Sequence, residues 1–353
     1  MVGPDRRRGS MVPAMKVDFY FPPVSPLVAA GEAARRAESL GYDGFFTAET
    51  SHDPFLPLAI VAHTSPSLEL GTGIAVAFPR SPMIMAYTAW DLAAASGGKF
   101  ILGLGTQVKG HIVRRFSGEW LPPGPRMRDY LLALRAIFRS WQEGVPLQHE
   151  GDFYRLSLMT PFFNPGPIEH PDVRLAIAGV GPYMARLAGE LCEGFHVHPF
   201  HTVRYLDEVV IPNIRKGAEN AGRSHVSVEM ITTVFVVTGR NEEEINRSMA
   251  PTKAQIAFYA STPNYAGVLE LHGWDFGEQL GAMSRRGQWG DMAQMVPDEV
   301  VHEVAVVAPL DSLGSAIRER YGDRINRVGF YALDGDQGWS DEEWLHLVEE
   351  TRG

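Results

Sequence analysis

Glu49 and His52 are the residues of this chain whose types and spacing best suit the transfer of a proton. A carboxylate and an imidazole three positions apart in a loop can hydrogen-bond and control each other's protonation. We therefore predict that Glu49 and His52 are the catalytic pair. The same residues allow a second interpretation, in which His52-Asp53-Pro54 forms an Asx-type turn that begins a helix.

Three histidines form a second cluster, with the spacing His196-x-His198-x-x-His201. Period two would place His196 and His198 on one face of a strand, a spacing that also suits a metal site. No clear carboxylate ligand lies nearby, although Glu49 or Asp53 could reach across a barrel, so we predict no metal. We expect one histidine to be buried and hydrogen-bonded, the others to lie on the rim, and His198 to contact the substrate.

Glycine-rich segments mark two places where a ligand could approach the backbone. Gly71-Thr72-Gly73-Ile74 interrupts an apolar run, which predicts a bulge, a barrel corner or contact with a flat ligand. Gly179-Val180-Gly181-Pro182 joins a predicted strand to a predicted helix, where backbone N–H groups and the helix dipole can meet a phosphate. The alternative for the second segment is a tight turn without a ligand.

His111 follows the fourth predicted strand and lies beside Arg114 and Arg115. These side chains could bind an anionic group, and we predict that His111 contacts the substrate. They could equally form the solvated face of a helix.

Short apolar runs alternate with helical patterns along the whole sequence, and these elements must position the candidate residues. Eight runs are predicted to be strands: 17–21, 44–47, 68–76, 100–104, 173–178, 194–197, 226–237 and 327–332. The predicted helices are 27–40, 57–64, 82–95, 128–141, 182–191, 203–221, one from Asn241, 310–321 and 340–350. This repetition favours an α/β fold of the (β/α)₈ TIM-barrel type with insertions. A doubly wound open sheet is the alternative, but Pro22 to Pro26 provides no glycine-rich phosphate site in its first turn.

The predicted domain organisation is a single barrel, residues 15–353, after a disordered leader, residues 1–14. Residues 261–296 are rich in Gly, Met and Trp and are interpreted as an insertion or lid. In such a barrel the active site lies at the carboxyl ends of the strands. The candidate residues follow predicted strands, so one site could contain them.

The 353 residues include 32 Lys and Arg against 42 Asp and Glu, a formal net charge of −10. This acidic balance argues against nucleic acid or an anionic membrane as the main partner, and we expect a small-molecule substrate. The single cysteine, Cys192, excludes an intrachain disulfide and a cysteine-based metal cluster. No run reaches the roughly 18 apolar residues of a membrane span, and we expect a cytoplasmic protein.

Two segments carry a resemblance to a known family: Ser96 to Gly105, with the sequence Ser-Gly-Gly-Lys-Phe-Ile-Leu-Gly-Leu-Gly, and Ala178 to Glu190. The first is similar to the Ser-Gly-Gly-Arg-Phe-x-Leu-Gly-x-Gly segment of the luciferase-like monooxygenase superfamily, and the second to its phosphate-binding turn and helix. That superfamily comprises bacterial-luciferase-type flavin enzymes and oxidoreductases that use the deazaflavin coenzyme F420, all on a (β/α)₈ barrel. Thr106-Gln107 and the Gly73-Ile74 interruption resemble the F420 branch more closely.

The resemblance implies hydride transfer between coenzyme F420 and a small organic substrate. It also implies a cis peptide bond between Gly73 and Ile74 behind the cofactor ring, and a homo-oligomer, either a dimer or a tetramer. The residues that it implies for cofactor binding are Thr50, Gly73, Ile74, Thr106, Gln107, Ala178, Gly179, Val180 and Gly181.

One position departs from the family pattern. The family commonly has an acid followed directly by histidine at the end of strand two, whereas Thr50 follows Glu49 here and His52 comes two positions later. Glu49 or His52 would take over the role of that histidine, unless hydride transfer needs little acid–base help. Three alternative functions follow: an FMN-dependent monooxygenase that uses reduced flavin and oxygen, a non-catalytic flavin-binding barrel and, more remotely, a metal-dependent hydrolase.

Overall fold

The computed structural model describes residues 14–333 and 338–353, so the predicted leader, residues 1–14, lies outside the described residues except for Ala14. Eight parallel strands form one closed sheet: β1 Lys16–Tyr20, β2 Gly44–Thr47, β3 Glu69–Thr72, β4 Phe100–Gly105, β5 Arg174–Gly179, β6 Gly194–Val197, β7 Glu229–Val237 and β8 Arg327–Tyr331. Consecutive strands pair along the chain, and β8 closes the sheet by pairing with β1. The predicted (β/α)₈ barrel is confirmed.

Helices surround the barrel. They are α1 Ala30–Ser39, α2 Phe55–Thr64, α3 Pro82–Ala95, α4 Lys109–Arg114, α5 Pro123–Glu143, α6 Pro182–Leu191, α7 Val203–Tyr205, α8 Ile211–Asn220, α9 Glu242–Ala260, α10 Ala266–His272, α11 Gly277–Arg285, α12 Trp289–Met292, α13 Asp298–Val304, α14 Leu313–Tyr321 and α15 Asp341–Arg352. Ser340 and Glu343 form a capping box that begins α15, because each side chain satisfies the other's backbone N–H. Among the residues that the structure describes, no helix has the length and apolar character needed to cross a membrane.

Shorter elements complete the chain. Tight helical turns of three residues occur at Leu27–Ala29, Pro161–Phe163, His225–Ser227, Pro263–Tyr265, Ala293–Met295 and Leu310–Ser312. Short strands are Ala75–Val76, which pairs with β4, Val306–Val307, which pairs with β7, and the hairpin of His149–Glu150 with Arg155–Leu156.

Some predicted elements differ from the structure. The strand predicted over 68–76 is divided into β3 Glu69–Thr72 and the short strand Ala75–Val76. The helix predicted over 203–221 is divided by a wider turn, Leu206–Val210, just before Pro212, which has no N–H to continue a regular helix. Strand β7 begins at Glu229 rather than at 226, and Val226 is exposed in the turn that precedes it. The segment 261–296, which the sequence left unassigned, contains α10, α11 and α12.

The amino-terminal end of the barrel is closed by an ion cluster. Arg327 is fully buried and donates hydrogen bonds to both carboxylate oxygens of Asp18 and to Glu69. Lys16 and Arg174 also pair with Glu69, at 3.1 and 3.4 Å. Burial opposes the ionisation of Glu69, but Arg327 and Arg174 outweigh it and lower its pKa to about 2. Next to this cluster, an apolar layer fills the barrel with Phe46, Ile101, Ala176 and Ile231.

Candidate active site

The carboxyl ends of the strands form the open mouth of the barrel. The strand centres are buried, whereas the end of β5 and the positions directly after β3, β4 and β6 are partly exposed. The predicted residues at these positions are Gly73, Ile74, Thr106, Gln107, Ala178, Gly179, Val180 and His198. Because the four strands are neighbours in the sheet, the fold brings these residues together at one mouth.

The interruption after β3 is the most unusual backbone feature of this mouth. The peptide bond between Gly73 and Ile74 is cis, which confirms the expectation for this position. The phenol of Tyr20 lies against Gly73, so that a Cβ atom there would be 2.9 Å from the tyrosine ring. The side chain of Ile74 packs over Gly105 at the end of β4. At Gly73 the interruption therefore presents backbone rather than a side chain, and the side chain of Ile74 covers the end of β4.

Glu49 fixes this interruption from β2. Its backbone N–H donates to the carbonyl oxygen of Ile74 at 3.0 Å, and its carboxylate Oε2 accepts a hydrogen bond from the N–H of Val76 at 2.7 Å. The same Oε2 pairs with Arg80 Nη1 at 2.7 Å. Arg80 also pairs with Asp53 at 3.1 Å. Burial by itself would lower the pKa of the Arg80 guanidinium. The two carboxylates have the larger effect, so that the pKa is raised.

His52 does not contact Glu49 in this arrangement. It is exposed and lines a cavity of about 110 Å³ between the loops after β1 and β2, and Glu49 is absent from that lining. Asp53 Oδ1 accepts hydrogen bonds from the N–H groups of Phe55 and Leu56 at 2.8 and 3.2 Å. The second interpretation of this segment, an Asx-type turn that begins α2, is therefore confirmed, and Asp53 rather than His52 shares an arginine with Glu49.

The loop residues expected near the cofactor or substrate lie at different depths. Gln107 has the left-handed φ of 57° and its side-chain oxygen accepts a hydrogen bond from the N–H of Val108, which fixes the loop before α4. Thr50 and His111 are both exposed. The carbonyl oxygen of Thr50 accepts a hydrogen bond from Arg115, so the loop after β2 is tied to the segment that ends α4.

The glycine-rich turn between β5 and α6 has the geometry of an anion site. Gly181 precedes the first turn of α6 and has no side chain with which to cap its N–H groups. A Cβ atom on Gly181 would meet nothing within 4 Å, so the space in front of the helix is open. The hydroxyl of Tyr205 donates to the carbonyl oxygen of Val180 at 3.0 Å and holds the turn in place. A phosphate could accept hydrogen bonds there and be stabilised by the helix dipole.

The three clustered histidines have separate environments. His196 lies inside the barrel beside the ring of Phe46, and burial lowers its pKa to about 3. We expected one buried, hydrogen-bonded histidine and two on the rim, but His196 and His201 are both buried, and the hydrogen-bonded one is His201. His196 Nε2 faces Gly103, which has no side chain, and has no hydrogen-bond partner among the described residues. His201 Nδ1 bonds to the carbonyl oxygen of His198 at 2.7 Å. Within the described parts of the chain, no group of three or more His, Cys, Asp and Glu side chains could hold a metal ion.

His198 connects the barrel to the segment 261–296. Its Nδ1 accepts a hydrogen bond from the N–H of Phe200 at 3.1 Å, and its Nε2 lies 3.0 Å from the hydroxyl oxygen of Tyr265. Burial lowers the pKa of His198 to about 3, so the ring is neutral at physiological pH. Since Nδ1 is the acceptor, the proton of the neutral ring is on Nε2.

Sequence reasoning missed Arg80 and Tyr265 as parts of this site. Arg80 follows the end of the third predicted strand, and that position was the available signal. Tyr265 lies in the unassigned segment, where no periodic pattern placed it near a strand.

Comparisons with known proteins find a matching family model and similar proteins. A model of the luciferase-like monooxygenase family matches residues 9–327. An uncharacterized protein of Mycobacterium tuberculosis is 44% identical over 315 residues, which cover 89% of this chain and 92% of the relative. A candidate coenzyme F420-dependent oxidoreductase of the same species is 30% identical over 305 residues, which cover 79% of this chain and 84% of that protein.

A solved structure shares the fold. The coenzyme F420-dependent tetrahydromethanopterin reductase from Methanopyrus kandleri matches with a TM-score of 0.77 and 19% identity, over 96% of this chain and 98% of the other. At this level of identity the likeness concerns the fold alone, and it agrees with the closed eight-stranded barrel.

Proposed function

Because this chain belongs to the luciferase-like monooxygenase family, we propose that it is an oxidoreductase that transfers a hydride between the deazaflavin coenzyme F420 and a small organic substrate. The chain is an enzyme of that family, and its cofactor, its substrate and the hydride transfer between them are the proposed parts. The observation that carries the proposal is the open glycine-rich turn before α6, which lies at the same barrel mouth as the partly exposed backbone of Gly73 and Ile74. The F420-dependent relatives favour the deazaflavin over FMN.

The residues of the mouth fit a flat ring that carries a phosphorylated side chain. The backbone of Gly179, Val180 and Gly181 and the start of α6 would hold the phosphate. The Gly73–Ile74 backbone would support one face of the ring. The remaining contacts are proposed for Thr50, Thr106, Gln107 and Ala178. Bound there, the cofactor supplies or accepts the hydride.

Proton transfer is proposed for Glu49 or His52. Both hydrogen bonds of the Glu49 carboxylate go to Oε2, and Oε1 makes none with the described residues. Oε1 would therefore stay available to a substrate atom or water while Oε2 holds the backbone. His52 is solvent-accessible but lies in a separate cavity, so it would need a movement of its loop to act. The geometry favours Glu49 for this role, and we propose that His198 orients the substrate, with His111 at the rim.

A binding titration tests the cofactor. We expect oxidised F420 to bind to the purified protein with a change in its fluorescence, because both the ring support and the phosphate site would be used. FMN should bind more weakly, and riboflavin, which lacks the phosphate, more weakly still. Tight binding of FMN with no response to F420 would contradict the proposal and favour the FMN-dependent monooxygenase.

A further inference from the structure

Four side chains form a half-buried aromatic wall at the ends of β6, β7 and β8. His198 follows β6, Tyr331 ends β8, and Tyr259 and Tyr265 come from α9 and the turn after it. The ring centroid of His198 lies 4.5 Å from those of Tyr259 and Tyr265. The ring of Phe235 in β7 stacks on that of Tyr331, with 4.9 Å between the two centroids. These four residues, His198, Tyr259, Tyr265 and Tyr331, are called the aromatic wall below.

The hydroxyl proton of Tyr265 is not donated to any of the described residues. The Nε2–H of His198 donates to the tyrosine oxygen, because Nδ1 of the same ring accepts the N–H of Phe200. The tyrosine proton therefore cannot go to His198, and the described residues offer it no other acceptor. A half-buried O–H that lacks an acceptor is ready to bind an oxygen atom of a ligand.

The aromatic wall is electrically neutral. Burial alone raises the pKa of Tyr265 to about 12, and burial lowers that of His198 to about 3. Both groups are uncharged at physiological pH. A wall of neutral rings favours an uncharged, largely apolar ligand with one hydrogen-bond acceptor.

The aromatic wall faces the proposed cofactor position across the barrel. The eight strands close in sequence order, so β7 lies opposite β3. A ring supported by Gly73–Ile74 after β3 would turn its other face toward the ends of β6 to β8. A substrate between that ring and the wall would have Tyr265 on the side away from the cis peptide.

We propose that the Tyr265 hydroxyl binds the oxygen of an uncharged carbonyl substrate, and that His198 positions this hydroxyl. The inference rests on the proposed function, since the hydride comes from the reduced deazaflavin. The carbonyl carbon gains the hydride, the C=O π electrons move to oxygen, and oxygen takes the proton of Tyr265 to give an alcohol. The tyrosinate is stabilised by the Nε2–H of His198 and regains a proton from water.

The test compares two neutral ligands of nearly the same shape. Cyclohexanone has the acceptor oxygen, and methylenecyclohexane replaces it with CH₂. Binding is measured by thermal stabilisation of the protein without cofactor, and by the fluorescence of the protein loaded with oxidised F420. The wild type should prefer the ketone by about three- to tenfold, which one hydrogen bond provides. Tyr265→Phe keeps the aromatic ring and should remove this preference.

A matched control is Tyr87→Phe. Tyr87 also has a partly buried ring and a single hydrogen bond, to the carbonyl oxygen of Phe163, but it lies on α3 outside the mouth. This variant should keep the ketone preference. A preference that survives in Tyr265→Phe, or a wild type that shows none, would overturn the inference. Failure of F420 to bind, with the ketone preference intact, would overturn the proposed cofactor and leave the carbonyl site in place.

The positioning role of His198 has its own test. In His198→Gln an amide N–H lies close to the place of Nε2, so we expect this variant to keep the ketone preference of the wild type. His198→Leu has no such donor, and we expect it to lose the preference. A purely structural role predicts instead that both variants change the preference in step with their melting temperatures. Equal preferences in the two variants would therefore contradict the positioning role.

Discussion

At the scale of single residues, Gly179 and Gly181 meet different requirements although they belong to the same turn. A Cβ atom on Gly179 would lie 2.3 Å from Cβ of Met184, which is too close for any side chain. Gly181 has open space around it and the ordinary φ of −82°, so the fold itself does not require glycine there. A requirement for glycine at position 181 would therefore come from a ligand.

Gly181→Ala should separate folding from binding. We expect its free energy of unfolding to stay within about 0.5 kcal/mol of the wild type, because the methyl group meets nothing. The affinity for F420 should fall, because the methyl group would occupy the space proposed for the phosphate. Urea unfolding and fluorescence titration measure the two quantities.

Gly179→Ala is the comparison variant, and it should lose about 1–3 kcal/mol of stability because Met184 must move. Full F420 affinity in Gly181→Ala would exclude close contact between this turn and a phosphate.

At the scale of elements, the loop after β2 holds the interruption after β3. The carboxylate of Glu49 is nearly buried and joins the N–H of Val76 to Arg80, while the more exposed Asp53 shares the same arginine. An interrupted strand cannot complete a regular ladder with its neighbours, so side-chain hydrogen bonds must satisfy its backbone. The geometry that would support a cofactor ring thus depends on a neighbouring loop.

Glu49→Gln should loosen this interruption. The amide can still accept the N–H of Val76, but Arg80 loses its buried partner charge, and we expect a loss of about 1–3 kcal/mol. Hydrogen exchange should rise in the peptide that contains residues 73–76. Asp53→Asn is the control and should cost less than about 1 kcal/mol, because that pair is more exposed. Unchanged exchange in Glu49→Gln would show that Val76 is held by other contacts.

At the scale of the whole molecule, three histidines that are neutral in the folded state link stability to pH. Burial lowers the pKa of His196 and His198 to about 3 and that of His201 to about 4. In the unfolded chain a histidine has a pKa of about 6.5. Below that pH the unfolded state binds more protons than the folded state, so acid favours unfolding.

The free energy of unfolding should therefore fall as the pH decreases from about 6.5 to about 4. Each histidine can contribute up to about 1.4 kcal/mol per pH unit in this window. The contribution of Glu69, whose pKa is lowered to about 2, should be lost only below about pH 4.

Urea unfolding at several pH values measures the slope. His201→Gln should reduce it by up to about one third, because one of these three sites is removed while His272, whose pKa burial also lowers, still contributes. His63→Gln, at an exposed position, is the control and should leave the slope unchanged. Equal slopes in the wild type and His201→Gln would mean that His201 takes up its proton in the folded state as easily as in the unfolded chain.

The barrel and the strand ends that carry the site could be predicted from the amino-acid sequence. Each strand and helix is a local pattern, so the apolar runs and their glycine and proline boundaries located the eight barrel strands and most of the longer helices. The likeness to a known family added the cis peptide at Gly73–Ile74, which the structure contains. No helix or strand was predicted where no local pattern existed, as in residues 261–296, and a predicted helix was wrong where a proline divides it, as at Pro212.

The contacts between distant side chains could not be predicted in this way, because they depend on the tertiary structure. Glu49 was paired with the nearby His52 on sequence grounds, but its partner is Arg80, which lies 31 positions away. His198 bonds to Tyr265 across 67 positions, and Arg327 reaches Asp18 across 309. Local propensity acts over a few residues, whereas these contacts exist only because closure of the sheet brings distant strand ends and loops together. The roles of the site residues follow from those contacts.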